Sequence, residues 1–217
     1  MLWDMDGTLL DSERLWDVSL AQFAEKLGGV LSPAAREAMV GTSMATSMVI
    51  LYEDLGVTGR DVDADAAWLD LRTGELFAEG LIWRPGAREL LHAVRRTGLR
   101  TALVTATSRP LVEQALLSLG AENFDAVVCG GETAAKPDAA PYRLALSLLR
   151  VDAGDALVIE DSPTGVASGV AAGCMVLAVP CAAALPEQPG VVIRDTLAGL
   201  TVEDLSRIWG RTVVPRS

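Results

Sequence analysis

From Pro85 onward the hydrophobic and polar positions fall into two alternating kinds of segment. Apolar residues at helical spacing predict helices over 86–97, 109–119, 138–149 and 163–172. Between them lie short, almost wholly apolar runs that predict strands over 100–104, 125–129, 156–160 and 175–179. A run that is apolar on both sides belongs to a strand buried on both faces, and helices alternating with such strands build a parallel sheet covered above and below. The chain before Pro85 reads differently. A short apolar run ends at Asp4, and the stretch between it and Pro85 carries helical signals only. Ser12 caps a helix to about Leu27, stopped by Gly28-Gly29, and Ser32-Pro33 opens a second ended by Gly41. A third is expected over about 43–55 and a fourth over about 62–78. Leu15, Val18, Phe23 and Leu27 give the first an apolar face suited to bundle packing. The pattern therefore predicts an α/β domain interrupted, just after its first strand, by four helices. No internal repeat or low-complexity segment is present.

Candidate chemistry gathers where the predicted strands end. Asp4 and Asp6 follow the first apolar run, and residues two apart on a strand project to the same side. Two acids on one face repel, and a divalent cation is the usual compensation. Gly7 permits a sharp turn after them and Thr8 adds a hydroxyl. Thr105 sits at the end of the strand over 100–104, with Thr107 and Ser108 as candidate N-caps of the helix starting near Pro110, where free amides could face a phosphate. Lys136 stands before Pro137 after a turn-rich segment, as a candidate anion clamp. Glu160 and Asp161 end the strand over 156–160, and Ser162-Pro163 then opens a helix as N-cap and first residue. These positions lie just past strand ends, where open α/β sheets bind ligands.

Four segments, in order, resemble the motifs of the haloacid dehalogenase-like (HAD) hydrolases: DMDGT at Asp4, the Thr105 strand end, the Lys136-Pro137 segment AAKPDAAPYRLAL, and EDSPTGVASGVAAG from Glu160. The resemblance spans nearly the whole chain and implies a Rossmann-like parallel sheet core, residues 1–11 and 85–217. Residues 12–84 would form an inserted all-helical, four-helix C1 cap domain over the active site. It implies a Mg2+-dependent phosphatase in which Asp4 attacks phosphorus to form an aspartyl-phosphate and Asp6 protonates the leaving oxygen, then activates water. Asp4 and Asp161 carboxylates and the Asp6 carbonyl would hold the metal, with Glu160 ligating directly or through water, while Thr105 and Lys136 hold the phosphoryl oxygens. The second aspartate separates the chain from the dehalogenase branch. Relatives commonly carry a few more apolar residues ahead of the first motif, so either a short first strand or a misassigned start site is expected here.

Composition narrows the partners. A hydrophobic share of 50% with 22% charged residues is that of an ordinary soluble globular protein. The formal charge of −11, with no Lys/Arg run, argues against nucleic acid or an anionic membrane as partner. It also repels phosphate at long range, so attraction must be local: a bound cation, Lys136, Arg109. Cys129, Cys174 and Cys181 are unevenly spaced in apolar surroundings and read as buried, reduced thiols of a cytoplasmic protein. The charge-free run from Ser162 to Leu185 is long enough to suggest a membrane span, yet its prolines and glycines divide it into a short helix, a turn and a strand. Gly165, Gly169 and Gly173 at i, i+4 and i+8 would let that helix approach the sheet closely. No N-terminal signal is visible, and a monomer is expected. The single histidine, His92, lies mid-helix and matches no motif.

The substrate is expected to be a small phosphate ester, selected by cap residues. Positions that carry a histidine and an arginine in β-phosphoglucomutase-like members are matched here by Trp16 and Met44, the latter next to Ser43. Neither can hold a second phosphate, which favours hydrolysis of sugar or polyol phosphates over a mutase. Any of the cap cations Arg14, Lys26, Arg36, Arg60 and Arg72 that reached inward would weaken that argument. A non-catalytic phosphate-binding regulator is the remaining rival, and the intact set Asp4, Asp6, Thr105, Lys136 and Asp161 weighs against it.

Overall fold

The computed structural model describes residues 1–181, 185 and 187–210. Strands β1 (Leu2–Trp3), β2 (Ala102–Ser108), β3 (Ala126–Gly130), β4 (Leu157–Glu160), β5 (Met175–Ala178) and β6 (Val191–Ile193) form one parallel sheet in the order β3-β2-β1-β4-β5-β6. Sequence order reverses at β1, whose Trp3 pairs with Leu103 on one side and Ile159 on the other. That reversal opens a crevice at the carboxyl ends of the central strands. Helices α5 (Ala87–Arg96), α6 (Arg109–Leu119), α7 (Ala140–Leu149), α8 (Pro163–Ala171) and α9 (Val202–Trp209) alternate with or follow the strands. Successive strand residues serve opposite faces. Trp3, Leu103, Ile159 and Leu177 pack with Leu90, Val112 and Leu205 on one side; Leu2, Val104, Val158 and Val176 pack with Tyr142, Leu146 and Val166 on the other. Both layers are buried, which is why the strands read as continuous apolar runs.

Between β1 and α5 the chain forms four helices, α1 (Glu13–Lys26), α2 (Pro33–Met39), α3 (Met44–Leu55) and α4 (Val62–Glu79). They share a small core of their own around Phe23, Met48, Leu51 and Leu69. The segments that lead out to this insert and back are tied together: Asp11 N–H donates to Ile82 O and Arg84 N–H to Leu9 O, each at 2.8 Å, around an antiparallel Leu10–Trp83 bridge.

Several boundaries differ from the sequence reading. β1 ends at Trp3, so Asp4 and Asp6 belong to the loop after it and not to one strand face. β2 runs to Ser108, beyond the expected end at residue 104, because its pairing with β3 shifts register between Val104 and Ser108. Gly130 permits this: a Cβ there would stand 2.0 Å from Ala106 O. β6 and α9 were not anticipated. The glycine stripe of α8 is tight at Gly165 and Gly169, whereas Gly173, at φ +87°, lies in the turn beyond the helix. The charge-free run resolves into α8 and β5, with residues 182–184 outside the described residues. Among the described residues no helix is long and apolar enough to cross a membrane. Cys129 and Cys174 are buried free thiols, but Cys181 is half-exposed. His92 is half-buried on α5, edge-on to Trp83.

Candidate active site

The crevice beyond β1 collects the acids. Asp4, directly after the strand, is 6% exposed and its Oδ1 accepts from Lys136 Nζ at 2.7 Å. Lys136 uses its other N–H groups on Glu160 Oε1 at 2.7 Å and on Val104 O, the β2 carbonyl, at 2.9 Å. The ammonium is therefore fixed by two carboxylates and a β2 carbonyl. Glu160, the last residue of β4, is fully buried: Oε1 also accepts from Tyr142 Oη at 2.9 Å, while Oε2 accepts from the backbone N–H groups of Asp161 and Ser162 and from Ser162 Oγ. Both its oxygens are thus engaged, and direct metal ligation would require giving up one of these bonds. Asp161 is 2% exposed; Oδ1 accepts from Thr8 Oγ1 at 3.2 Å, and Oδ2 is buried with no hydrogen-bond partner. Gly7, at φ +77°, makes room for that oxygen, since a Cβ would lie 2.1 Å from it.

Asp6 is gripped from above. Its Oδ1 accepts from Ser12 Oγ at 2.6 Å and from Trp16 Nε1 at 3.3 Å, and its Oδ2 from Thr107 Oγ1 at 2.7 Å and Thr105 Oγ1 at 3.2 Å. Ser12 was expected to cap α1; its hydroxyl makes no cap bond and serves Asp6 instead. Neither do Thr107 and Ser108 cap α6 with their side chains: Thr107 turns to Asp6, and its N–H donates to Thr105 Oγ1.

Electrostatically the site is strained toward neutrality. Burial pushes the Asp4 carboxyl up to about 8, helped by Glu160 and Asp6 and opposed by Lys136. Burial likewise raises Asp161 well above the carboxylate range, with Asp4, Glu160 and Glu13 adding to it. For Lys136 burial works against the ammonium, but Asp4 and Glu160 outweigh it and hold its pKa above the ordinary value. One oxygen from each of Asp4, Glu160 and Asp161 lies within 4.8 Å of the others. Three carboxylates against one ammonium, all-oxygen donors and the orphaned Asp161 Oδ2 fit a hard divalent cation of the Mg2+ type.

The structure brings Asp4, Asp6, Trp16, Met44, Thr105, Thr107, Ser108, Lys136 and Asp161 to one cleft, with Glu160 behind it. Ser43 does not line the cleft; its hydroxyl accepts from Thr46 N and caps α3. Of the cap cations only Arg36 reaches the cleft, and it is already bonded to Glu13 and Asp17. Arg14 pairs with Asp11, Lys26 lies over Trp68, Arg60 pairs with Asp65 and Arg72 with Glu75. Arg109 is held by Glu132, away from the cleft lining. Sequence reasoning missed Glu13 and the site role of Tyr142, read Ser12 only as a cap, and named Arg36 only among five cap cations that could reach inward. Tyr142 closes the lysine segment in sequence, a signal available beforehand, whereas the Glu13–Arg36 pair depends on α1 and α2 folding together.

A doubly wound sheet with an acid cluster and a fixed lysine at its switch point, roofed by inserted helices, has the form of a hydrolytic α/β enzyme. Residues 1–173 match the family described as haloacid dehalogenase-like hydrolase, and the chain belongs to that family. It is 34% identical to a phosphoglycolate phosphatase of Rhodospirillum rubrum over 82% of this chain and 77% of that protein. It is 31% identical to hexitol phosphatase A of Escherichia coli over 93% of this chain and 92% of that one. The crystal structure of CbbY from Rhodobacter sphaeroides in complex with phosphate superimposes with a TM-score of 0.83 at 28% identity, covering 94% of this chain and 97% of that chain.

Proposed function

We propose that this enzyme, a phosphoric monoester hydrolase of the haloacid dehalogenase-like family, hydrolyses small sugar or polyol monophosphates through an aspartyl-phosphate on Asp4, with Mg2+ as cofactor. The observation that carries this reading is the Asp4–Lys136–Asp161 cluster with Asp6 suspended above it. Lys136 holds Asp4 Oδ1, and Oδ2 takes no partner among the described residues, so Oδ2 is the attacking atom. As the P–O bond to the alcohol breaks, the leaving oxygen takes its proton from Asp6, whose carboxyl Ser12, Trp16, Thr105 and Thr107 orient. Asp6, now ionised, takes a proton from water as that water attacks phosphorus, which returns Asp4 and releases phosphate. To donate to the phosphoryl oxygens as charge shifts onto them, Lys136 would turn an N–H away from Asp4 and Thr105 its hydroxyl away from Asp6. The carboxylates of Asp4 and Asp161 and the Asp6 carbonyl would hold Mg2+, which screens the repulsion between Asp4 and the phosphoryl group. Residues 12–84 serve as the cap that shields this site.

The near full-length match to a hexitol phosphatase supports a polyol or sugar ester. Against a mutase stand Trp16 and Met44 in the cleft and an Arg36 already neutralised by two carboxylates, since a bisphosphate intermediate needs free cations for its second phosphate. The test is phosphate release over a panel of phosphate esters with and without Mg2+, with 31P NMR to detect any isomerised ester. Asp4→Asn is expected to fold and to lose turnover by several orders of magnitude, together with BeF3− trapping. Unchanged turnover in Asp4→Asn refutes the nucleophile.

A further inference from the structure

Two charged residues of the cleft have no part in the phosphoryl chemistry: Glu13, the first residue of α1, and Arg36, in the last turn of α2. Arg36 Nη2 donates to Glu13 Oε2 at 2.6 Å and to the Glu13 carbonyl at 3.3 Å, and its Nε donates to Asp17. The Arg36 and Glu13 side chains are only 19% and 15% exposed, so the pair is held in one geometry with little water around it. These bonds leave Glu13 Oε1 and Arg36 Nη1 without a protein partner among the described residues, and neither atom is sealed in the interior. A carboxylate oxygen and a guanidinium N–H left free on one ion pair that lines the cleft match a hydroxyl, or a pair of adjacent hydroxyls, which both donate and accept. A second anion matches poorly, because Glu13 and Asp17 already neutralise Arg36 and Asp4, Asp6 and Asp161 crowd the same cleft. Trp16, Leu20 and Met39 supply apolar surface alongside for a carbon chain. Burial raises the Glu13 carboxyl and Arg36 opposes it, so the arginine helps to keep that oxygen an acceptor.

We propose that Glu13 and Arg36 form a hydroxyl-reading subsite, which selects esters whose carbon chain beyond the phosphate is a neutral polyol or sugar and rejects those carrying a second anionic group. This rests on the phosphatase reading of the same cleft and narrows its substrate. Two measurements on the full chain keep the two apart. The first compares kcat/KM for glucitol 6-phosphate and phosphoglycolate: the wild-type preference for the polyol ester is expected to fall roughly tenfold in Glu13→Gln, the effect of weakening one charged hydrogen bond. Arg36→Lys, which keeps the charge but loses the fork, is expected to shift the ratio the same way. A merely structural role lowers both rates together and leaves the ratio unchanged. The second measures calorimetric binding of both esters to Asp4→Asn and to Asp4→Asn/Glu13→Gln, and needs no turnover. Tighter binding of glucitol 6-phosphate to Asp4→Asn, lost in the double variant, upholds the subsite even where the wild type hydrolyses neither ester. Equal binding of the two esters, or a kcat/KM ratio untouched by Glu13→Gln, overturns it and leaves hydrolysis to be judged on phosphate release alone.

Discussion

Asp4 and Asp161 are buried side by side with their carboxyls pushed toward the neutral form, which makes pH a probe of the site. In the folded chain Asp4 titrates at about 8, against about 3.9 for an unfolded aspartate. Between those limits the folded state holds a proton that the unfolded state lacks. The stability that Asp4 contributes is therefore complete below its unfolded pKa and is lost as pH rises through its folded one. The Met1 amino group, which burial lowers to about 5, acts with the opposite sign in an overlapping window, so the bare stability profile mixes the two. The gain in Tm on adding Mg2+ separates them, because the Met1 contribution is common to both curves. Mg2+ must displace the protons of Asp4 and Asp161 to bind, so its stabilising effect is expected to grow from mildly acidic to mildly alkaline pH. Asp161→Ala should abolish that gain. A gain that stays flat with pH, or survives Asp161→Ala, places the cation elsewhere.

At the scale of elements, α8 is the one whose seating the site depends on. Gly165, in its first turn, has an ordinary backbone, and Ser162 Oγ accepts from its N–H at 3.1 Å. A Cβ at Gly165 would stand 1.7 Å from Glu160 Oε1, the oxygen that holds Lys136 and Tyr142. One turn on, at Gly169, the same atom would meet Val176 Cγ2 at 3.0 Å, the end of a side chain. Gly165→Ala is expected to cost about 3 kcal/mol, the upper end of the overpacking range, and to depress turnover by displacing Lys136. Gly169→Ala should cost about 1 kcal/mol, part of the strain being offset by helix propensity. Urea unfolding of both variants decides this, and equal stabilities would contradict the close approach at Glu160. The small-residue spacing of α8 was legible in the sequence because helical periodicity places those positions on one face, but which glycine met a charged oxygen was not. For the same reason the alternation of helices and apolar strands from Pro85 to Val179 could be read directly, since a strand buried on both faces has a pattern no exposed segment shares. β6 could not: its three residues are half-buried and too few to show a period. α9 carried a readable start, Thr201 with Asp204 as a capping box. Of the site, the acids and Thr105 were legible because they follow or end apolar runs and Lys136 because it stands before Pro137 after a turn-rich segment, while Ser12 was misread as a cap because a serine before a helix looks the same whichever acceptor it finds.

Across the whole molecule, the helical insert meets the sheet domain around the cleft and along α4, which packs on α6 and buries Phe77 in the core of the sheet domain. Ser12 and Trp16 reach Asp6, Gly74 of α4 lies against Leu111 and Gln114 of α6, and Thr164 Oγ1 donates to Gly41 O at 2.6 Å across the cleft mouth. Gly41, at φ +69°, is packed so tightly there that a Cβ would stand 2.6 Å from Ser162 Oγ. The two connecting segments are hydrogen-bonded to each other, and we propose that they bend together as one paired hinge. Residues 12–84 should then move as a body about that hinge, with the Thr164–Gly41 bond as the latch of the closed form and exclusion of water from the aspartyl-phosphate as its effect. Removing the latch in Thr164→Val keeps the shape of the side chain and loses about 1 kcal/mol of closure, enough to shift a closed-to-open ratio roughly fivefold. Small-angle scattering is expected to give the variant a larger radius of gyration than the wild type without ligand. Saturating vanadate should bring both to the same compact value, with a matching change in Trp16 fluorescence. A radius indifferent to both the substitution and vanadate would mean that the insert and the sheet domain are rigidly joined and that the cleft exchanges its substrate without opening.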